Sequence, residues 1–374
     1  MLALVAAAES WLAWHDVDFA NYSAECWRMS GWAARRVRRS EILCFGTSLS
    51  KHGVLPRVIE RQTGKRAYNL AVFSGPASAS YFLLRRALEA GVCPRAVLID
   101  CQDGPLDPAR RQEREEGLTS NMRYWPELLE LRDCFDLAWS ARDAGFFVEM
   151  MLARTFPSYR CRFEVRSSIL AQLQGRDESH RLGVAALRRN WAINRGAHVR
   201  QLDRVFANQL ALSDATPENP HYMTFTARDR ARNTLALSYV RRFLDLADAH
   251  GITVFWLLLP VTPERRVEYD RSGMDDYLTR VARMALSHSR NVIVIDGRHS
   301  GYTRWGFSDR IHLDRYGAVA FSTDVASVVG RALSRPESVA RWSVLPTCRR
   351  IEPSVPVEDL AQSLSVLKSQ EVRR

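Results

Sequence analysis

Glu41-Ile-Leu-Cys-Phe-Gly-Thr-Ser48 opens with a short apolar run that stops at Gly46, and two similar runs follow it, Arg66-Ala-Tyr-Asn-Leu-Ala-Val72 and Arg95-Ala-Val-Leu-Ile-Asp100. Each is too short for an isolated helix and too continuously apolar for a half-exposed strand, so each reads as a buried strand. Between the first two, residues 49–62 read as a helix closed by Gly64. Between the second and third, Phe73-Ser-Gly-Pro-Ala77 leads into a helix running to about Ala90, with Gly91 placed to stop it. Strand–helix–strand–helix–strand is the pattern of a parallel sheet covered by helices.

Outward from this block the alternation stops near residue 104 and resumes near 251. Residues 104–225 hold Trp125, Trp139 and Trp191 among Arg-rich helical segments and no clear strand. They read as a large helical insertion rather than an independent domain, and their Arg and Trp content suits contact with sugars and acidic groups. A helix over 227–250 carries Leu235, Leu237, Val240, Phe243, Leu244 and Ala247 at amphipathic spacing. Ile252–Leu259 then reads as a fourth strand, 274–287 as a helix, Asn291–Asp296 as a fifth strand and 314–333 as a last helix. The expectation is an α/β fold, a flavodoxin-like three-layer sandwich with a five-stranded parallel sheet, spanning 41–334. Residues 1–40 form an N-terminal helical segment, and the Pro- and Ser-punctuated residues 335–374 form a loosely attached tail.

Composition bounds the function classes. With 46% hydrophobic residues in 374 the chain can bury a sizeable core, which excludes wholesale disorder. The net charge of +11 raises the question of a polyanionic partner. Lysine occurs only at Lys51, Lys65 and Lys368, so arginine supplies nearly all of the 53 basic residues. No recognition motif accompanies them, and no nucleic-acid partner is expected. The seven cysteines are odd in number, widely spaced and without a CxxC pair, against both a disulfide framework and a zinc site; Cys44 and Cys101 read as small buried hydrophobes. Neither a metal nor an organic cofactor is expected, since no metal-ligand spacing or phosphate loop is present. Met1–Ala8 is apolar but too short to cross a bilayer. It reads as a buried helix start or as the remnant of a membrane anchor through which the chain associates with a membrane.

In open parallel sheets the chemistry collects outside the carboxyl ends of the strands. After the first strand comes Gly46-Thr47-Ser48, where the glycine permits a sharp turn and the serine opens a helix among unpaired N–H groups. After the fifth comes Phe307-Ser-Asp-Arg-Ile-His-Leu313. An Asp and a His three residues apart can turn toward each other, so that the carboxylate holds one imidazole nitrogen and the other accepts a serine proton. The bland alternative makes Ser48 a helix cap, Asp309 another and His312 a surface residue. His52 reads as a helix-surface residue on the rim. His299 ranks behind His312, and Asp103 and Asp296 are further rim carboxylates.

Taken together, these residues resemble the SGNH or GDSL-like serine hydrolase superfamily. Gly46-Thr47-Ser48 is similar to its first motif, Gly75 to its second, and Asp309-Arg310-Ile311-His312 to its last. The run Phe307–Gly317 is most similar to the branch that includes alginate O-acetylation proteins and the D-alanyl-lipoteichoic-acid protein. The likeness covers residues 41–103 and 251–333. Thr47 stands where the superfamily usually has Asp, and the third motif, Gly-x-Asn-Asp, is replaced by Asp100-Cys-Gln-Asp-Gly104. The resemblance implies a Ser48–His312–Asp309 triad and an oxyanion hole made by the N–H groups of Ser48 and Gly75, with Gln102 as the candidate for the missing asparagine. It implies a serine esterase or O-acyltransferase acting on acyl esters of a carbohydrate or cell-envelope polymer. The alternative is a degenerate module of the same fold that binds an acylated polysaccharide. It also implies a cell-envelope or periplasmic location; the lack of a full signal segment keeps the cytoplasm as the alternative.

Overall fold

A computed structural model describes residues 2–14, 22–101, 125–162, 169–170, 172–176 and 234–349. The N-terminal segment is helical, with α1 (Leu2–Trp14) and α2 (Tyr22–Ala34). The next elements are β1 (Ile42–Phe45), α3 (Ser48–Gly53), α4 (Pro56–Thr63), β2 (Ala67–Asn69), α5 (Ala77–Glu89) and β3 (Ala96–Asp100). The described part of the predicted insertion is helical: α6 (Trp125–Leu128), α7 (Leu131–Ala141), α8 (Ala144–Thr155) and α9 (Pro157–Arg160). After it come α10 (Thr234–Ala249), β4 (Thr253–Leu258), α11 (Pro263–Ser272), α12 (Met274–His288), β5 (Val292–Asp296), α13 (Arg315–Ser334) and β6 (Trp342–Val344).

Two compact units emerge, one from residues 1–31 and 108–199, the other from 32–107 and 200–374. In the first, Trp27 and Trp125 are buried and meet edge-to-face at 5.0 Å. The Glu9 carboxylate of α1 accepts from the Ser158 backbone N–H at 3.0 Å and from the Ser158 hydroxyl. The apolar side chains of α1 face solvent, Leu4 and Trp14 being 75% and 86% exposed, so α1 is not the start of a buried helix. Among the described residues no helix is long and apolar enough to cross a membrane.

The second unit holds the sheet. Its six strands run in the order β2-β1-β3-β4-β5-β6, all parallel. The five strands expected from the sequence are all present, and the sixth corrects the count. β6 comes from the stretch read as a loose tail, and it pairs Trp342–Val344 with Val294–Asp296. Three residues are too few to show a hydrophobic period, so this edge strand had no signature. Residues 350–374 lie outside the described part of the chain.

Alternating strand residues divide the core between the two faces. Ile42, Cys44, Ala96, Leu98, Phe255, Leu257 and Ile295 meet Val58, Ile59, Phe321, Val325 and Val329 of α4 and α13. Burying each Val, Leu, Ile or Phe side chain among them contributes about 1.5–3 kcal/mol. Phe45 points to the opposite face and meets Phe243 of α10 edge-on at 5.5 Å; α10 in turn packs on α5 and α12. Because α13 lies on the α4 face, the β5–α13–β6 connection has the opposite hand to β4–α12–β5, an arrangement that parallel sheets almost always avoid.

The helix expected over 49–62 is broken in two, because Pro56 removes a backbone donor and cannot sit in a helix interior. Ser322 of α13 bridges the break: its hydroxyl donates to the Gly53 carbonyl at 3.0 Å and accepts from the Leu55 N–H at 2.9 Å. None of the seven cysteines forms a disulfide; Cys44 is buried, whereas Cys101 is partly exposed.

Candidate active site

The first strand delivers the serine. Beyond Phe45 the chain turns sharply at Gly46, whose φ of +119° L side chains rarely adopt. A Cβ there would also lie 2.4 Å from the Asp100 carboxylate, so position 46 is closed to every side chain. Thr47, not Ser48, is the helix cap, since its hydroxyl accepts from the Leu49 N–H at 3.1 Å. Ser48 is therefore the first residue of α3, with its hydroxyl unused by the helix.

The loop after the fifth strand delivers the base. Phe307 and Leu313 form an antiparallel bridge, and the Ser308 N–H donates to the His312 carbonyl at 2.8 Å, closing a tight loop around Asp309 and His312. Asp309 Oδ1 accepts from the N–H groups of Ile311 and His312 at 2.8 and 2.7 Å. Asp309 Oδ2 lies 2.5 Å from His312 Nδ1, and His312 Nε2 lies 2.7 Å from Ser48 Oγ. With the Asp309 carboxylate accepting from Nδ1–H, Nε2 is left to accept the Ser48 proton. Burial alone would raise the Asp309 carboxyl; the hydrogen bonds from the His312 ring and from the two N–H groups outweigh it and hold it below the usual carboxylate range.

Serine, imidazole and carboxylate thus form a continuous hydrogen-bonded chain at the carboxyl edge of a parallel sheet, beside the point where the strand order reverses around β1. Such a chain can raise the nucleophilicity of a hydroxyl and return its proton to a leaving group. The Ser48 N–H, in the first turn of α3, has no acceptor among the described residues and can serve a developing oxyanion.

Other candidates take different places. Gly75 lies beside the nucleophile turn, where a Cβ would sit 2.9 Å from the Gly46 carbonyl. Its N–H, expected in the oxyanion hole, donates instead to the Val72 carbonyl at 3.1 Å, in a turn with Ser74 at φ +50°. Gln102 and Asp103 lie outside the described residues. Asp296 is held by Arg298, which donates to its two oxygens at 2.9 and 2.7 Å. His299 meets Arg266. Neither joins the chain of bonds at Ser48. Among the described residues no group of three or more His, Cys, Asp or Glu side chains could hold a metal ion.

Three contributors escaped the sequence reading. His52 does not point along the rim; its ring packs edge-on against His312 at 5.3 Å and tilted against Phe73 at 5.0 Å. Desolvation first, then His312 and Lys51, push it down to about 3, so it stays neutral. Glu268 of α11 accepts from Arg310 and, at 2.6 Å, from Arg265, while Thr262 donates to the Arg310 carbonyl through its N–H at 3.2 Å and its hydroxyl at 3.0 Å. Asp100 is the third, at the end of β3. No protein-family model matches the chain, and a search of curated proteins likewise finds no match.

Proposed function

We propose that the chain is a serine esterase or O-acyltransferase of the SGNH type, built on a flavodoxin-like three-layer sandwich and acting on acyl esters of a carbohydrate or polymer in the cell envelope. The observation that carries this reading is the Ser48–His312–Asp309 hydrogen-bond chain, in which Ser48 and His312 stand 264 residues apart in sequence. His312 takes the proton as Ser48 Oγ attacks the ester carbonyl. The Ser48 N–H holds the oxyanion, and collapse of the tetrahedral adduct expels the alcohol with the proton from His312. Water, activated by the same imidazole, then releases the acid; a sugar hydroxyl in its place receives the acyl group.

One observation favours the second reading, a module of the same fold that binds acyl esters without turning them over. With the Gly75 N–H bonded to Val72, only the Ser48 N–H is left for an oxyanion among the donors the resemblance assigned within the described residues. Hydrolysis of p-nitrophenyl acetate by wild type and Ser48→Ala, with a fluorophosphonate probe alongside, separates the two. The catalytic reading expects wild-type turnover, stoichiometric labelling, and a drop of at least roughly a thousandfold in Ser48→Ala. Equal turnover in both proteins would falsify it; absence of both turnover and labelling leaves the binding module.

A further inference from the structure

The buried carboxylate of Asp100 is outside the triad, yet it touches the nucleophile turn from beneath. β1 and β3 pair in parallel with Phe45 opposite Ile99, so the next residues, Gly46 and Asp100, stand side by side at the carboxyl edge of the sheet. Asp100 is 1% exposed, and its Oδ2 accepts from the Thr47 N–H and from the Ser50 N–H, both at 3.1 Å. A buried carboxylate persists only when hydrogen-bonded, and these two donors lie on either side of Ser48. The remaining amides of the turn are also taken: the Leu49 N–H donates to the Thr47 hydroxyl and the Lys51 N–H to the Thr47 carbonyl at 2.9 Å. Of the amides from Thr47 to Lys51, only that of Ser48 has no acceptor among the described residues.

We propose that Asp100 is a positioning residue for Ser48: its carboxylate draws in the N–H groups flanking the nucleophile and thereby presents the Ser48 N–H and hydroxyl to the same point. This rests on the catalytic reading above. Gly46 is the counterpart, since it leaves the space that the Asp100 carboxylate fills. Asp100 supplies no proton and meets no substrate. It fixes the direction of two groups that do, and misplacement by about 1 Å is enough to cost roughly a hundredfold in rate.

The test compares Asp100→Ala and Asp100→Asn with wild type, per folded molecule by circular dichroism. An amide oxygen can accept the same two N–H bonds, whereas alanine leaves both without an acceptor. For p-nitrophenyl acetate the expected result is a kcat lower by roughly a hundredfold in Asp100→Ala with KM within about threefold, and recovery to within about tenfold of wild type in Asp100→Asn. Wild-type kcat in Asp100→Ala, or no recovery in Asp100→Asn, overturns the assignment. Should Asp100→Ala fail to fold, Asp100→Leu, which keeps the branched shape without an acceptor, takes its part with the same expectations. If the wild type neither turns over ester nor takes the fluorophosphonate probe, it is the catalytic reading that has failed. Amide deuterium exchange over residues 46–51 then decides on Asp100 separately: exchange at Thr47 and Ser50 raised roughly tenfold in the alanine (or leucine) variant and restored by asparagine upholds the positioning role, and unchanged exchange removes it.

Discussion

The two halves of the candidate site are built by different means. The nucleophile turn, Gly46 to Ser50, is held from inside the fold, by a left-handed glycine, a carboxylate 1% exposed and the end of a central strand. The acid–base loop, Ser308 to His312, is held mostly from outside, by its own short hydrogen bonds and by Arg310, whose side chain is 42% exposed, on Glu268, with the buried Thr262 on the Arg310 carbonyl as an inner tie. The interior half has little slack, since the Asp100 carboxylate fills the space that a side chain at position 46 would need. The peripheral half depends on side-chain partners that water can replace. Substitutions should therefore act sharply on the first and in graded fashion on the second, unless they touch the carboxylate that orients the imidazole.

Asp309→Asn tests that exception and carries the largest expected effect. Asparagine can keep accepting from the Ile311 and His312 N–H groups, so the loop should hold its shape, while the imidazole loses the partner that sets its tautomer. A fall of roughly 10³–10⁴ in kcat for p-nitrophenyl acetate is expected; a fall under tenfold would show that Asp309 only braces the loop. The Asp309 carboxyl is held below its ordinary range in the folded chain, so its contribution to stability is complete above about pH 4 and fades as pH falls through the lower folded value. The asparagine variant should lack this part of the acid sensitivity.

A smaller effect tests where the halves meet, at the edge-on contact of His52 with His312. His52 is held down to about 3 in the fold, against an ordinary value near 6.5. Between those values the unfolded chain binds a proton that the folded chain refuses, so stability rises with pH across that window. In His52→Phe, which keeps an aromatic ring against Phe73 and His312, urea midpoints should vary less between pH 4 and 6.5 than in wild type. An unchanged slope would mean that His52 is solvated and the contact loose. The smallest effect belongs to Glu268→Ala, which frees Arg310 at the exposed edge. Exposed pairs contribute about 0–1 kcal/mol, so kcat should stay within about threefold. A larger loss would show the acid–base loop to be as tightly constrained as the nucleophile turn.

How far each half could be read from sequence follows the same division. β1, β3, β4 and β5 were legible because continuous apolar runs ending on Gly46, Asp100, Pro260 and Asp296 have no other stable home. Ser48, Asp309 and His312 were legible because each follows one of those strands. Asp100 was read as the last residue of β3, and nothing in its spacing shows a carboxylate bending back under a neighbouring turn. The anchor on Glu268 stayed hidden because α11, Pro-Glu-Arg-Arg-Val-Glu-Tyr-Asp-Arg-Ser, has almost no apolar stripe to announce a helix. The bonded state of the Gly75 N–H depends on a turn geometry that a family motif does not specify.

Ser322 joins the helix that completes the domain to the break behind the nucleophile helix, through bonds that span 269 and 267 residues. Contacts of such sequence separation close late, because the whole intervening loop must be ordered before they bring any return. A chain still being synthesised has Ser48 at its turn but not yet His312 to take its proton. On the proposed catalytic reading, the hydroxyl stays an ordinary alcohol until α13 docks, and ester turnover would then be a readout of completed folding.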